Sequence, residues 1–155
     1  MGHQTIKITF AAAALLTALI FLIGMKHSDN TTERRVEAQV SVGNAGLVVE
    51  IANTEQEKAR GFSNRDTLDM DSGMLFLFSE LAVRHFWMKN MRFPIDVLWI
   101  ARGSVVGLQE NIPFQSDTGE VVRFESNEPA DMVLEVSAGW IKEHGVSVGD
   151  MVSMR

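Results

Sequence analysis

The apolar positions of this chain follow two patterns, a continuous run near the start and short alternating runs afterwards. Residues 8–25 contain no charged side chain. At about 1.5 Å of rise per residue, a helix of this length nearly matches a hydrocarbon layer of roughly 30 Å. The run therefore predicts a transmembrane anchor over residues 8–25, preceded by a short tail over residues 1–7.

A cleaved secretory signal is the alternative interpretation of this run. Signal peptides usually have an apolar region of about 7–15 residues followed by a small-residue cleavage site. The run here is longer and ends at Met25-Lys26 without such a site, so we favour an uncleaved signal anchor. Basic residues after the run favour the domain inside the cell. The short tail before a single apolar segment is typical of exported proteins, and we expect the domain outside the cytoplasm.

The rest of the chain divides into a polar tether and one domain. Residues 26–35 are polar and unpatterned, which is typical of a linker. In residues 36–155 the apolar period is two, and Gly, Pro, Asn and Ser separate the apolar runs. These runs predict strands at Leu47–Ile51, Met74–Phe78, Ile95–Ile100 and Met132–Val136.

Two short helices are expected among the strands. Thr54 and Glu57 have the spacing of a capping box, and Gly61 is placed to end the helix that they begin. A second helix is expected from Gly139 to a stop at Gly145, followed by a turn into a final strand. The predicted fold is mainly β, of the α+β class: a compact β-barrel or sandwich with one or two short helices, preceded by the transmembrane helix.

Composition narrows the possible partners. The formal net charge is −6, which disfavours sequence-independent nucleic-acid binding because that needs clustered Lys and Arg. The chain has no cysteine, so attachment of a lipid through a thiol is excluded. Lack of cysteine is compatible with an oxidising compartment without requiring one.

Several segments of the domain together resemble a known family. The central run is Phe86-Trp87-Met88-Lys89-Asn90, followed by Phe93-Pro94-Ile95-Asp96; the segments 60–65, 134–139 and 149–150 accompany it. This combination resembles the domain-of-unknown-function family 192, a set of small prokaryotic domains that are often exported. The chain departs from the family pattern at Met91, where the pattern has Thr. The resemblance implies a compact β-rich fold and attaches no activity to it.

Asp96 is the first candidate site residue, because it lies in an apolar strand. A buried, ionised carboxylate without a partner would cost several kcal/mol. We expect backbone N–H groups, or a cation such as Lys89, Arg65 or Arg60, to supply the partner. Either this pairing is structural, or Asp96 lines a polar pocket with Lys89, Asn90 and Arg65.

Trp87 and Glu135 are weighed separately. If a strand continues from His85, then His85, Trp87 and Lys89 share one face, which makes Trp87 a candidate pocket wall. Glu135 alternates with the apolar residues beside it, so we expect it to face solvent or a barrel mouth. Pairing of Glu135 with Asp96 for acid-base chemistry is the less favoured alternative.

Metal, cofactor and nucleophile patterns are weak. The four histidines lack the spacing of a zinc site, and the nine methionines are better explained as core residues than as copper ligands. No nucleophile motif or phosphate-binding glycine motif is present. We predict no metal and no cofactor, and we assign no catalytic residue.

These observations favour a membrane-anchored extracytoplasmic module that binds an envelope saccharide or peptide through Arg65, Trp87, Lys89, Asn90 and Asp96. The alternatives are a small hydrolase or lyase acting on envelope polymers through Asp96, and a structural or interaction domain without a pocket.

Overall fold

The computed structural model describes residues 35–155, which form nine strands and two short helices. In chain order these are β1 (Glu37–Val42), β2 (Ala45–Ala52), α1 (Glu55–Arg60), β3 (Ser72–Ala82), β4 (His85–Trp87), β5 (Ile95–Ala101), β6 (Ser104–Ile112), β7 (Arg123–Glu125), β8 (Ala130–Ser137), α2 (Trp140–His144) and β9 (Val152–Met154). Neither helix is long and apolar enough to cross a membrane. The predicted anchor at residues 8–25 lies outside the described residues.

Seven strands form one curled sheet in the order β6-β5-β8-β3-β2-β1-β9. Its pairings are antiparallel except for β2 with β3, whose parallel pairing is connected through α1. The sheet curls until its two edge strands meet beside a bridge between Ser104 and Met151. The remaining strands, β4 and β7, pair as a separate two-stranded sheet. The prediction of a mainly β fold with few short helices is confirmed, and its form is a curled half-barrel.

The four strands predicted from the apolar runs are confirmed. Each run lies inside a longer strand, namely β2, β3, β5 and β8. Strand β5 lies between β6 and β8, and it is buried from Ile95 to Ile100 on both faces. A strand buried on both faces has a continuous apolar run instead of an alternating one. That explains why this run was recognisable from sequence.

The predicted helix start at Thr54 is also confirmed. The Thr54 hydroxyl accepts a hydrogen bond from the Glu57 backbone N–H at 3.2 Å. In return the Glu57 carboxylate accepts one from the Thr54 backbone N–H at 2.8 Å. This reciprocal pair satisfies two donors that a helix start leaves unpaired. Gly61, with φ of 48°, ends α1 after little more than one turn.

Two apolar cores lie on opposite faces of the sheet. The α2-side core is built around Trp140 and contains Val49, Leu98 and Leu134. The pocket-side core contains Phe62, Phe76, Met88, Val97, Trp99 and Val133. Because successive residues of a strand point to opposite faces, Asp96 shares the face of Leu98, and Glu135 shares that of Val133.

The strand predicted from His85 onward is shorter than expected. Strand β4 ends at Trp87, and a turn follows in which the Met91 N–H bonds to the Met88 carbonyl. Asn90 has φ of 58°, a conformation that Asn tolerates better than most residues and that interrupts a regular strand. The prediction that Lys89 shares a strand face with His85 and Trp87 is therefore wrong.

Candidate functional site

A pocket of about 220 Å³ opens on the pocket-side core, next to the end of α1. Its walls come from α1 and the residues after it, from β3, and from β4 with the turn that follows. The lining residues are Glu55, Lys58, Ala59, Arg60, Gly61, Phe62, Ser63, Phe76, Phe78, His85, Phe86, Trp87, Met88, Met91 and Glu135. Five of them are aromatic and two are thioethers, so the walls are mostly apolar.

Ring contacts hold the central wall of the pocket in place. Phe86 meets Phe76 edge to face, with ring centroids 5.1 Å apart. On its other sides Phe86 contacts Trp99 at 5.7 Å and stacks on Phe124 of β7 at 5.8 Å. Such pairs contribute about 0.5–1.5 kcal/mol each beyond the burial of their surface. The short β4–β7 sheet thus fixes the wall that faces α1.

Glu135 is the distinctive polar group of this pocket. It lies on β8 between Met74 of β3 and Val97 of β5 in the strand register, and it is only 4% exposed. No donor or cation among residues 35–155 forms a hydrogen bond or ion pair with its carboxyl group. Burial in these apolar surroundings raises the pKa of Glu135 to about 8. At neutral pH it is therefore a protonated acid that can donate and accept a hydrogen bond.

The charged residues that line the pocket are paired elsewhere or lie at its rim. Lys58 Nζ is 3.1 Å from the Glu55 carboxylate and 4.6 Å from the centroid of the Phe78 ring. His85 Nδ1 is 2.9 Å from the carboxylate of Glu125 on β7. Arg60, in the last turn of α1, adds a further positive charge. Lys58 and His85 thus each have a carboxylate beside them.

Asp96 lies on the opposite face of the sheet from this pocket. It is fully buried, and its carboxylate accepts hydrogen bonds from the backbone N–H groups of Asn111, Gly139 and Ile141 at 2.8, 2.9 and 3.1 Å. The expectation that backbone N–H groups supply its partners is confirmed. The expected pocket around Asp96 is not what the structure contains, because these bonds enclose the carboxylate between β6 and the start of α2.

Arg65 is paired with Glu50 of β2. Its guanidinium makes two parallel hydrogen bonds of 2.6 Å to the Glu50 carboxylate and also lies over the Phe62 ring. Burial alone would raise the pKa of Glu50, but the hydrogen bonds and charge of Arg65, with Arg35 beside it, lower that pKa overall. Arg65 therefore attaches the segment after α1 to the sheet and does not line the pocket.

The remaining candidates occupy the turn after β4. Trp87 is 44% exposed and lines this pocket, whereas the predicted pocket included Asp96. Lys89 and Asn90 are exposed and do not line it. Their backbone carbonyls accept hydrogen bonds of 2.8 Å from the Ser63 hydroxyl and the Asn64 N–H. These bonds join the two segments that flank the pocket mouth.

The centre of the site was not predicted from the sequence. Glu135 was expected to face solvent or a barrel mouth, and the expectation that it faces solvent is wrong because the β4–β7 sheet and α1 cover its face of β8. The signal was present, since Glu135 shares that face with the buried Val133. In residues 35–155 no three His, Asp or Glu side chains are grouped closely enough to hold a metal ion.

The chain belongs to the DUF192 family, described as uncharacterised, whose profile matches residues 38–154. No curated protein matches the chain. The resemblance drawn from the Phe86 to Asp96 motif is thereby confirmed.

Two crystal structures share the fold. One, from Sinorhizobium meliloti 1021, is of a protein described as a proposed transcription regulator. It is 33% identical with a TM-score of 0.71, over 77% of this chain and 95% of that one. The other is a protein of unknown function from Novosphingobium aromaticivorans DSM 12444. It is 26% identical with a TM-score of 0.65, over 77% of this chain and 84% of that one.

Proposed function

We propose that this protein is a binding or accessory module of the cell envelope, and that its pocket takes a small group of a saccharide or peptide ligand. In this proposal residues 8–25 anchor the chain in the membrane and the domain lies outside the cytoplasm. The observation that carries the binding role is the buried carboxyl group of Glu135, which faces a pocket and has no partner among the described residues.

A partnerless carboxyl group is an unusual feature for a structural core. Buried polar groups are almost always hydrogen-bonded, and an unsatisfied one costs about 1–3 kcal/mol. An apolar residue of similar volume would remove that cost if packing were the only requirement at position 135. A ligand that bonds to the Glu135 carboxyl group accounts for its presence. Ionisable groups with a shifted pKa in a cleft are typical of functional sites.

The size of the pocket limits what enters it. Pockets for drug-sized ligands measure about 300–1,000 Å³, and this one holds about 220 Å³. It therefore fits one sugar ring or one side chain, with the rest of the ligand lying across the exposed ring of Trp87. Aromatic walls with few polar groups are the usual composition of such sites.

The test is a thermal-shift screen of the full-length protein in detergent against envelope saccharides and peptides. A ligand that binds only the folded state raises its melting temperature. We expect at least one ligand to raise it for the natural protein and to have no effect on Glu135→Gln. The matched control is Glu143→Gln, which changes an exposed carboxylate outside the pocket. An equal shift in the Glu135 variant would reject this site.

The membrane arrangement is tested separately. A reporter fused after Arg155 that is active only outside the cytoplasm should show activity in cells, and the protein should remain with membranes after washing at high salt. A reporter active only in the cytoplasm would reject this orientation.

A hydrolase or lyase is the second candidate, and the raised pKa of Glu135 favours it. An acid that keeps its proton at neutral pH can protonate a leaving group. Glycosidases pair such an acid with a second carboxylate roughly 5–10 Å away, and Glu55 is the other carboxylate in the pocket lining. Asp96 is unsuited to this role because backbone N–H groups occupy its oxygens. Turnover of an envelope polymer that Glu135→Gln abolishes would support this candidate.

Regulation of transcription, which the description of the Sinorhizobium relative names, is disfavoured for this chain by its charge. With a net charge of −6, the chain has no excess of Lys and Arg to neutralise phosphates.

A further inference from the structure

We propose that the group entering the pocket is an alkylammonium ion, with the Glu135 carboxylate as its counter-ion and the Phe76 and Phe86 rings as its walls. This inference rests on the proposed binding function and specifies the ligand chemistry. An amino sugar and the side chain of a lysine-like residue both carry such a group.

Glu135 has no hydrogen-bond or ion-pair partner among the described residues. Its neighbours in the sheet register, Met74 and Val97, are apolar. The carboxylates beside Lys58 and His85 are Glu55 and Glu125. Lys58 lines the same pocket, yet its ammonium pairs with Glu55. A buried carboxyl group without a cation can ionise when a ligand brings the cation.

The aromatic lining of the pocket also favours a cation. The faces of aromatic rings attract cations, and this attraction grows when water is excluded. Three of the five aromatic side chains in the lining already have a cation of the chain within contact: Lys58 and Arg84 at Phe78, Arg65 at Phe62 and Arg123 at Trp87. The other two, Phe76 and Phe86, have no such contact among the described residues. These are the rings that an entering ammonium would meet.

The pocket should select an ammonium group over other small groups. A ligand carboxylate entering this apolar space would lose its hydration and gain no cation at the base of the pocket. A neutral hydroxyl group would bond to protonated Glu135 without forming an ion pair. The charged and titratable groups that line the same space are Lys58, Arg60, His85 and Glu55. The positive charges among these groups slow the entry of a cation, and the Glu135 carboxylate attracts the cation once it is inside the pocket.

Binding of a cation should expel the proton of Glu135. The free pocket holds the acid protonated at neutral pH, and the complex holds it ionised, so one proton is released per ligand bound. Affinity for the cation should therefore increase as the pH is raised, by up to about tenfold per pH unit until the pH reaches the pKa of Glu135. Above that pH the affinity should level off. A neutral ligand would release no proton and show no such slope.

The experiment is calorimetric titration of the full-length protein in detergent at pH 7, in two buffers with different ionisation enthalpies. The probes form matched pairs: Nα-acetyl-lysine amide against Nα-acetyl-norleucine amide, and glucosamine against N-acetylglucosamine. We expect one or both amines to bind at least tenfold more tightly than their neutral partners, with release of close to one proton. The pair that shows this difference identifies the source of the ammonium group.

Two variants and one control complete the design. Glu135→Gln should lose the preference for the amine and the proton release, while Glu143→Gln should keep both. Lys58→Met should strengthen amine binding severalfold, because it removes a like charge from the lining. Thermal unfolding of each variant checks that it is folded.

The outcomes separate this inference from the proposed function. Equal binding of the amine and neutral probes, together with loss of binding in Glu135→Gln, would contradict the ammonium ligand. The pocket would then remain a binding site for another group. Amine binding that Glu135→Gln does not weaken would overturn the inference directly. If neither the probes nor the ligand panel bind, both proposals fail.

Discussion

Two buried carboxyl groups, on opposite faces of the sheet, differ in what surrounds them. Asp96 accepts three backbone hydrogen bonds, whereas Glu135 has none from the described residues. Donors aimed at a carboxylate stabilise its charged form, and apolar surroundings stabilise the neutral form. The hydrogen bonds of Asp96 stabilise the fold, whereas the carboxyl group of Glu135 remains available to a ligand.

Glu135 makes stability depend on pH. The unfolded chain loses this proton near pH 4.5, and the folded domain holds it to about pH 8. Between these values the folded state binds more protons, so its contribution to stability falls as pH rises. This difference in pKa between the folded and unfolded states corresponds to a loss of folding stability on the order of 5 kcal/mol by pH 8. Glu135→Gln should remove this slope.

The measurement is urea unfolding followed by tryptophan fluorescence at pH 5, 6.5 and 8. The free energy of unfolding of the variant minus that of the natural protein should grow steadily with pH. Glu143→Gln should show no such trend. A constant difference for Glu135→Gln across this range would contradict the raised pKa.

Asp96→Asn should destabilise the domain by about 3 kcal/mol. The neutral amide loses charge-assisted hydrogen bonds, and its NH₂ group would face a backbone N–H that needs an acceptor. Denaturant unfolding at pH 7 measures the loss, with Asp117→Asn in an exposed loop as the control. The ligand affinity of the folded variant should not change, because Asp96 does not line the pocket. A loss below about 1 kcal/mol would show that the three bonds matter little.

Among the elements, α1 has the clearest link from sequence to site. Its capping box fixes where the helix starts, and its last residues line the pocket. A helix of six residues has little stability of its own and depends on its cap and on packing. The position of this wall therefore depends on a local sequence signal.

Thr54→Ala should reduce stability by about 1 kcal/mol, because it removes the acceptor for the Glu57 N–H. Ligand affinity should fall severalfold as well, since a loosened α1 no longer holds its wall in place. Thr67→Ala, at an exposed position outside the helices and strands, is the matched control. Chemical denaturation and the calorimetric titration measure the two effects. Unchanged stability of Thr54→Ala would show that packing alone positions α1.

The elements also show which parts of the fold were predictable. Strands β5 and β8 have long apolar runs because the two cores bury both of their faces, and these runs were interpreted correctly. Strands β4 and β7 have three residues each, too few for a period to be recognised. Their sheet covers one face of β8, and without it Glu135 appeared to point to solvent. The burial of that side chain could not be inferred because the covering layer was not predicted.

At the scale of the whole molecule, residues 35–155 contain the two apolar cores described above. The strand pairings of the curled sheet lie in the same range. The residues named above as the pocket lining also lie in this range. The proposed ligand site is therefore built from residues of the domain.

A fragment of residues 35–155 should fold by itself. We expect a single cooperative thermal transition, because one continuous sheet separates the two cores and joins them. The fragment should stay in the supernatant after centrifugation at high speed, whereas the full chain should sediment with membranes. Two separate transitions, or none, would contradict a self-sufficient domain. The fragment starts at Arg35 so that its ion pair with Glu50 is kept.

The hydrogen bonds of Asp96 also constrain the order in which the domain can be completed during synthesis. This carboxylate lies on β5, but two of its three donors are Gly139 and Ile141, more than forty positions later in the chain. A nascent chain that ends before these residues would have to bury a charge without its donors or leave β5 unpacked. Truncated chains that end before α2 would therefore remain susceptible to proteolysis. Only chains extended through α2 would resist degradation.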